Sequence, residues 1–181
     1  LDCQIAILEN AIARYLSKKE IPKPMGSRHP SIAPFEAFKT KDSYIIIAAG
    51  NDKLYEKLCN VLEIPEMITD KRFNTNSLRC ENMNELKEIF ENQLKNKNTS
   101  DWIKQMEELK IPCGPIFNIK EAVENPQVEA RNMIVNAYHK VVGDFRTAGN
   151  PIKMSTYEDK KKRGDIPDLD EHREKILKEF T

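Results

Sequence analysis

The sequence predicts a mixed α+β domain that carries a helical arm at each end. A strand pair is predicted within residues 35–49, where aromatic and β-branched residues flank the turn residues Lys41-Asp42. Apolar residues then recur at helical spacing through the middle of the chain, and again at both ends. At 181 residues, the chain is long enough to bury one moderate hydrophobic core.

The chain is predicted to open with an amphipathic helix that ends before a proline-rich connector. The apolar face of this helix consists of Ile5, Leu8, Ile12, Tyr15 and Leu16. Pro22, Pro24, Pro30 and Pro34 follow, and proline both lacks an amide hydrogen and clashes with the preceding helical turn. We therefore expect an extended connector up to residue 34.

Three helices are predicted after the strand pair. The first begins after an Asn51 N-cap, the second covers residues 77–95, and Thr99 or Ser100 caps the third. Their apolar faces are Leu54, Leu58 and Leu62, then Leu86, Ile89, Phe90 and Leu94, then Trp102, Met106 and Leu109. We expect Trp102 to be a core residue rather than a binding platform.

Short strands and a charged linker are predicted in the last third of the chain. Residues 111–116 indicate a turn entering a strand, with Gly114 supplying freedom in φ. Residues 133–154 are predicted as strands, with a turn at Gly143, and the charge run within residues 156–168 as a solvated linker. A terminal amphipathic helix follows, with Leu169, Ile176, Leu177 and Phe180 on its apolar face.

Composition excludes several classes of function. The 29 basic and 29 acidic residues balance, so no global field attracts nucleic acid or an anionic membrane. No apolar run approaches the roughly 20 residues of a membrane span, and we expect a cytoplasmic protein, or a mitochondrial one if the source is eukaryotic. Four widely spaced cysteines and three scattered histidines predict no metal site. Because the sequence begins at Leu1 rather than at methionine, we expect a fragment, a deliberately shortened chain or an unusual start.

Several short motifs occur in the order typical of one known family. They are Gly26-Ser27-Arg28-His29-Pro30 continuing to Phe38, Gly50-Asn51-Asp52, Arg72-Phe73-Asn74-Thr75-Asn76, residues 111–116, and residues 168–177. Together they resemble the class III CoA-transferases, also called the CaiB/BaiF family, along essentially the whole chain. Residues 26–38 look closest to dicarboxylate-type members such as succinyl-CoA:glutarate CoA-transferases. Asp170 departs from the pattern, since the family usually has glycine there.

This resemblance implies an α/β protein of which the chain is only the small α+β domain with its arms. It implies that residues 1–20 are a helix of the large domain and residues 21–34 a linker and lid loop. Residues 35–154 then form the small domain, residues 155–168 a linker, and residues 169–181 a helix that docks on the large domain. A Rossmann-like half that holds CoA is absent from the chain, and two subunits are expected to interlock.

The chemistry implied by the resemblance is CoA transfer between an acyl-CoA and a carboxylic acid, with CoA as substrate and no metal. A catalytic aspartate forms an anhydride and then a CoA thioester, which is covalent catalysis. That aspartate lies upstream of Leu1, and Asp2 is not its equivalent, so no catalytic residue is assigned within this chain. We expect the isolated chain to be inactive.

By the same resemblance, the chain contributes a substrate lid formed by Gly26, Ser27, Arg28 and His29. Glycine there allows movement and a close backbone approach to the intermediate. The Arg28 side chain suits a bidentate bond to a carboxylate, and His29 suits donation to an acyl oxygen. In contrast, the polar residues Asn76, Arg79 and Asn82 are better explained by helix capping and local hydrogen bonds.

Two other functions remain open at this stage. An α-methylacyl-CoA racemase shares the fold and would place a proton-transfer pair in the upstream half. Alternatively, the chain is a non-catalytic remnant of a split gene, or a subunit that completes a partner. The sequence upstream of Leu1 would discriminate between these readings.

Overall fold

The computed structural model describes residues 1–180, and the chain divides after Ile116 into two compact units. The helices are α1 (Asp2–Ala6), α2 (Glu9–Lys18), α3 (Asp52–Val61), α4 (Asn76–Glu81), α5 (Met83–Leu94), α6 (Thr99–Glu108), α7 (Ile119–Val123), α8 (Pro126–Ala130) and α9 (Arg173–Phe180). The strands are β1 (Phe35–Lys39), β2 (Tyr44–Ala48), β3 (Cys113–Pro115), β4 (Ile134–His139), β5 (Gly143–Ala148) and β6 (Lys162–Asp165). This mixed architecture confirms the predicted fold class.

The first unit is built on an antiparallel sheet in the order β1-β2-β3. The predicted strand pair is confirmed, with Phe38 opposite Ile45. Gly114 lies within β3, opposite Ile46, and its φ is not positive. The prediction that Gly114 supplies freedom in φ is therefore wrong, because strand pairing sets its backbone conformation.

Helices α3, α5 and α6 contribute apolar side chains to one core with this sheet. Its fully buried members include Phe38, Ile45, Ile47, Leu58, Leu86, Phe90, Leu94 and Met106. Trp102 is confirmed as a core residue, and its indole nitrogen donates to the Leu94 carbonyl at 2.8 Å. Satisfying that N–H allows the large ring to be buried without loss of a hydrogen bond.

Two predicted helices are each interrupted. The predicted helix over residues 77–95 is split at Asn82 into α4 and α5. At the break, the side-chain Nδ2 of Asn82 donates to the backbone carbonyls of Arg72 and Leu78. The first predicted helix is likewise split, at Ile7 and Leu8, into α1 and α2. Apolar spacing continues across both breaks, so periodicity alone did not reveal them.

The proline-rich segment is held on the first unit by Asn76 and Arg79. Asn76 accepts from the Ala33 amide and donates to the Ser31 carbonyl. Arg79 is 1% exposed and donates to the carbonyls of Ala33 and Phe73 at 2.8 and 3.0 Å. It also pairs with Asp52 at 2.6 Å. A structural role is thus confirmed for Asn76 and Arg79, but the predicted local bonding and capping are wrong for them, because the bonds to Ser31 and Ala33 reach residues 43 to 46 positions away and Thr75 caps α4.

Asp42, in the turn between β1 and β2, ties that turn to the start of α6. Its carboxylate accepts from the Thr99 amide at 2.8 Å and from the Thr99 hydroxyl at 2.9 Å. These hydrogen bonds lower the pKa of Asp42 from its ordinary value of 3.8. The predicted cap is thus wrong in detail, because Asn98 is the N-cap residue and the side-chain acceptor comes from the hairpin.

The second unit contains a sheet in the order β5-β4-β6. Strand β5 is antiparallel to β4, whereas β6 is parallel to it. β6 lies inside the charge run that we predicted to be a solvated linker, so that prediction is wrong for residues 162–165. Gly149 is required near this sheet, because a Cβ atom there would lie 2.1 Å from the Asn132 carbonyl oxygen.

The terminal helices expose their apolar faces. In α2, Leu16 is 60% exposed, and in α9, Phe180 is 79% exposed. None of the residues in α1, α2 or α9 that the structure describes is buried. The last residue of the predicted docking helix, Thr181, lies outside the described residues. Both helices therefore expose apolar side chains to solvent, as expected of arms.

Replacing Arg79 with methionine should lower the free energy of unfolding of the first unit by about 3 kcal/mol, because two buried carbonyls lose their donors. The single tryptophan, Trp102, reports this unfolding by fluorescence in urea. Arg72→Met is the control, since Arg72 pairs on the surface and its loss should matter much less. Equal losses for both variants would contradict the role assigned to Arg79.

Acid should weaken the link between Asp42 and α6. Because folding lowers the pKa of Asp42, its contribution to stability is present above pH 3.8 and is lost as the pH falls through the folded-state value. Asp42→Asn keeps an acceptor oxygen but cannot titrate. We expect the loss of urea stability between pH 6 and pH 3 to be smaller in Asp42→Asn than in wild type or in the exposed variant Glu88→Gln. An unchanged loss would contradict this assignment.

Candidate functional site

Gly26 marks the start of the predicted lid and adopts a left-handed backbone conformation, with φ of +66°. Apart from Gly26 and its two chain neighbours, no heavy atom of the described residues lies within 4 Å of the position that a Cβ would occupy. Space would therefore admit a side chain at Gly26, and the backbone conformation is what favours glycine. Gly26 and Ser27 are both exposed.

Residues 27–29 are bound along the outer edge of β1. The His29 amide donates to the Phe35 carbonyl at 2.9 Å, and the Ala37 amide donates to the Ser27 hydroxyl at 3.0 Å. Since β1 is an edge strand, these bonds cover backbone groups that would otherwise be open to another strand. The predicted lid thus consists of a left-handed glycine followed by three anchored residues.

Arg28 bridges β1 and α5. Its Nε donates to Glu36 Oε1 at 3.1 Å, and its Nη2 donates to the Asn84 side-chain oxygen at 3.0 Å. A guanidinium has five N–H groups, and within residues 1–180 the other three have no acceptor. The side chain is 28% exposed, so Arg28 is not closed off from solvent.

Sequence reasoning missed Glu36, which is only 3% exposed. Its second oxygen accepts from Lys87 Nζ at 2.6 Å, and the same ammonium donates to the Ala37 carbonyl at 2.8 Å. The sequence did contain a signal for its burial, because strand alternation places Glu36 on the same face of β1 as the buried Phe38. A glutamate in that position must be paired with cations.

The His29 ring stacks on Phe35, with centroids 5.2 Å apart. Its Nδ1 accepts from the Ser31 amide at 3.2 Å. A neutral imidazole with an accepting Nδ1 carries its proton on Nε2, so in that form this histidine can donate from Nε2. The geometry suits donation to an oxygen of a bound acid.

Three of the four cysteines are unsuited to nucleophilic chemistry. All four are free thiols. Burial raises the pKa of Cys59 to about 11, and it also raises the pKa values of Cys80 and Cys113. A thiolate is the reactive form, and a raised pKa disfavours it near neutrality.

An open groove of about 660 Å³ lies between the end of β1 and α5. Its lining mixes charges of both signs: Lys39, Thr40, Lys41, Glu88, Glu91, Asn92 and Lys95. Within residues 1–180 there is no group of three or more His, Cys, Asp or Glu side chains placed to hold a metal ion. None of the described helices has the length and apolar character needed to cross a bilayer.

Comparison with known proteins identifies the family of this chain. Residues 1–173 match the family described as CoA-transferase family III. The chain is 35% identical over 180 residues to the acetyl-CoA:oxalate CoA-transferase of Acetobacter aceti, covering 99% of the chain and 45% of that relative. It is 35% identical over 179 residues to the succinyl-CoA:glutarate CoA-transferase of Homo sapiens, covering 99% of the chain and 41% of that relative.

A solved structure agrees with these sequence matches. The crystal structure of a CaiB/BaiF family protein from Brucella suis superimposes with a TM-score of 0.75 at 33% identity. The match covers 99% of this chain and 46% of that one. The chain thus spans less than half the length of the relatives that it matches. These matches confirm the resemblance drawn from the motifs: the chain belongs to CoA-transferase family III.

Proposed function

We propose that this chain is the small-domain portion of an enzyme that moves CoA between an acyl-CoA and a dicarboxylic acid. The main support for the proposal is the family match over residues 1–173. Two relatives named for dicarboxylate acceptors, oxalate and glutarate, support the choice of acceptor. The lid geometry supports it, because a left-handed glycine precedes an arginine that retains free donors.

In the proposed reaction, a carboxylate in the Rossmann-like half attacks the acyl-CoA carbonyl and releases CoA thiolate. The thiolate then attacks the resulting anhydride at the aspartyl carbonyl, which gives an aspartyl-CoA thioester and frees the first acid. The acceptor acid repeats these steps in reverse. Division of one difficult exchange into such steps is nucleophilic catalysis.

The contribution of this chain in the proposal is to cover the intermediate and to bind the acceptor. Gly26 brings bare backbone close to the thioester and excludes water, which would otherwise hydrolyse the anhydride. Arg28 binds a carboxylate of the acceptor through its free N–H groups, and His29 donates from Nε2 to an acyl oxygen. Residues 27–29 are already fixed on β1, so the movement belongs to Gly26 and the connector before it.

We also propose a docking role for the terminal helices. The exposed apolar faces of α2 and α9 are where we propose that the chain docks on the Rossmann-like half, within a dimer of interlocked subunits. Burial of such faces is the main source of free energy for association. Alone, the chain would lack both the nucleophile and the surface that holds CoA, and would be inactive.

Gly26→Ala should lower kcat by about ten- to a hundredfold in the complete enzyme, meaning this chain together with the Rossmann-like half. Alanine is strained at positive φ, and misplacement of a covering loop is costly to the chemistry. The measurement is transfer of CoA from succinyl-CoA to labelled glutarate.

The matched control is Gly50→Ala. Gly50 is also exposed and also has open space around its Cβ position, but its φ is not left-handed. We expect this variant to retain wild-type kcat. A wild-type kcat in Gly26→Ala, or an equal loss of kcat in both variants, would refute the lid role proposed for Gly26.

A further inference from the structure

Glu36 is a buried carboxylate whose two oxygens bind cations from two different elements. Oε1 accepts from Arg28 in the lid loop, and Oε2 accepts from Lys87 on α5. Its side chain is 4% exposed. Burial of a charge at this depth costs free energy unless both oxygens are paired, so the position of Glu36 is tightly determined by its neighbours.

Because the position of the Glu36 carboxylate is fixed, it also fixes the position of the Arg28 guanidinium that binds it. Glu36 holds the Nε of Arg28, and Asn84 holds one terminal nitrogen, so the plane of the guanidinium is defined by contacts at two points. A guanidinium held in this way pays little further side-chain entropy when it binds a second carboxylate, and its rigid fork suits a bidentate contact.

Lys87 shares the negative charge of Glu36, so Arg28 does not neutralise it alone. Glu91 lies 3.9 Å from Lys87 Nζ, and its oxygen accepts from the Lys39 amide at 2.8 Å. Arg28, at one end of this row of charges, keeps attraction for a further anion.

We propose that Glu36, together with Asn84, is a positioning residue that orients Arg28 to bind the second carboxylate of a dicarboxylic acid acceptor. This inference rests on the proposed CoA transfer and deepens it, since it assigns acceptor selectivity to the pair formed by Glu36 and Arg28. The first carboxylate is the one that reacts at the thioester. Binding of the second carboxylate by Arg28 is what distinguishes a dicarboxylate acceptor from a monocarboxylate.

The test compares glutarate with valerate, a monocarboxylate of the same chain length, as acceptors in the complete enzyme. Glu36→Gln should raise the KM for glutarate about tenfold, the effect of losing one charge-assisted contact. We expect kcat to stay within about twofold, and the kinetics with valerate to be unchanged. Glu88→Gln, an exposed change on α5, is the control and should alter the kinetics with neither acceptor.

Equal effects of Glu36→Gln on both acceptors, or a fall in kcat alone, would overturn the proposal and leave Glu36 as a purely structural tie. If Glu36→Gln does not fold, Asn84→Ala replaces it, because Asn84 is exposed and its side chain is the other partner of Arg28. The same selective rise in KM for glutarate is expected from that variant, and its absence would overturn the proposal.

A second readout separates this proposal from the proposed function. In the chain itself, labelled with ¹⁵N-arginine, glutarate should shift the Nε–H resonance of Arg28 more than valerate does, and Glu36→Gln should abolish the difference. Such a selective shift in a protein that shows no CoA transfer would support the binding site while refuting the enzyme. No selective shift, whether or not CoA transfer occurs, would overturn the binding site.

Discussion

The anchoring of residues 27–34 on the first unit is the constraint on which the site depends. Arg79 and Asn76 hold the carbonyls and amide of the segment before β1, and Glu36 holds the side chain of Arg28. A proline-rich segment cannot fix itself through helix or sheet hydrogen bonds. Side chains from α4 and β1 supply that order, and so they determine where the candidate lid residues lie.

This arrangement separates the lid into a fixed part and a part with room to move. Residues 27–29 are bonded to β1, whereas Gly26 is exposed, left-handed and surrounded by open space. The side chains of the candidate lid residues Arg28 and His29 are therefore held in place, and preorganisation reduces the entropy lost on binding. The backbone that would approach an intermediate lies immediately before them.

Local signals in the sequence were sufficient for much of the fold. The strand pair, the Asn51 cap and the burial of Trp102 follow from periodicity, capping chemistry and residue type, and all three are confirmed. Strand β6 was missed because its four charged or small residues carry no β signal, and pairing with β4 places them in the sheet. The partners of Arg28 were missed because Glu36 and Asn84 are non-local contacts that only packing brings together.

We propose that this chain completes a thioester site whose nucleophile and CoA-binding surface lie in another stretch of protein. The most direct test measures CoA exchange between succinyl-CoA and labelled glutarate with the purified 181-residue chain, first alone and then with the Rossmann-like half supplied in trans. We expect no exchange from the chain alone and exchange once the Rossmann-like half is present. Turnover by the chain alone, or no exchange in the reconstituted pair, would contradict it.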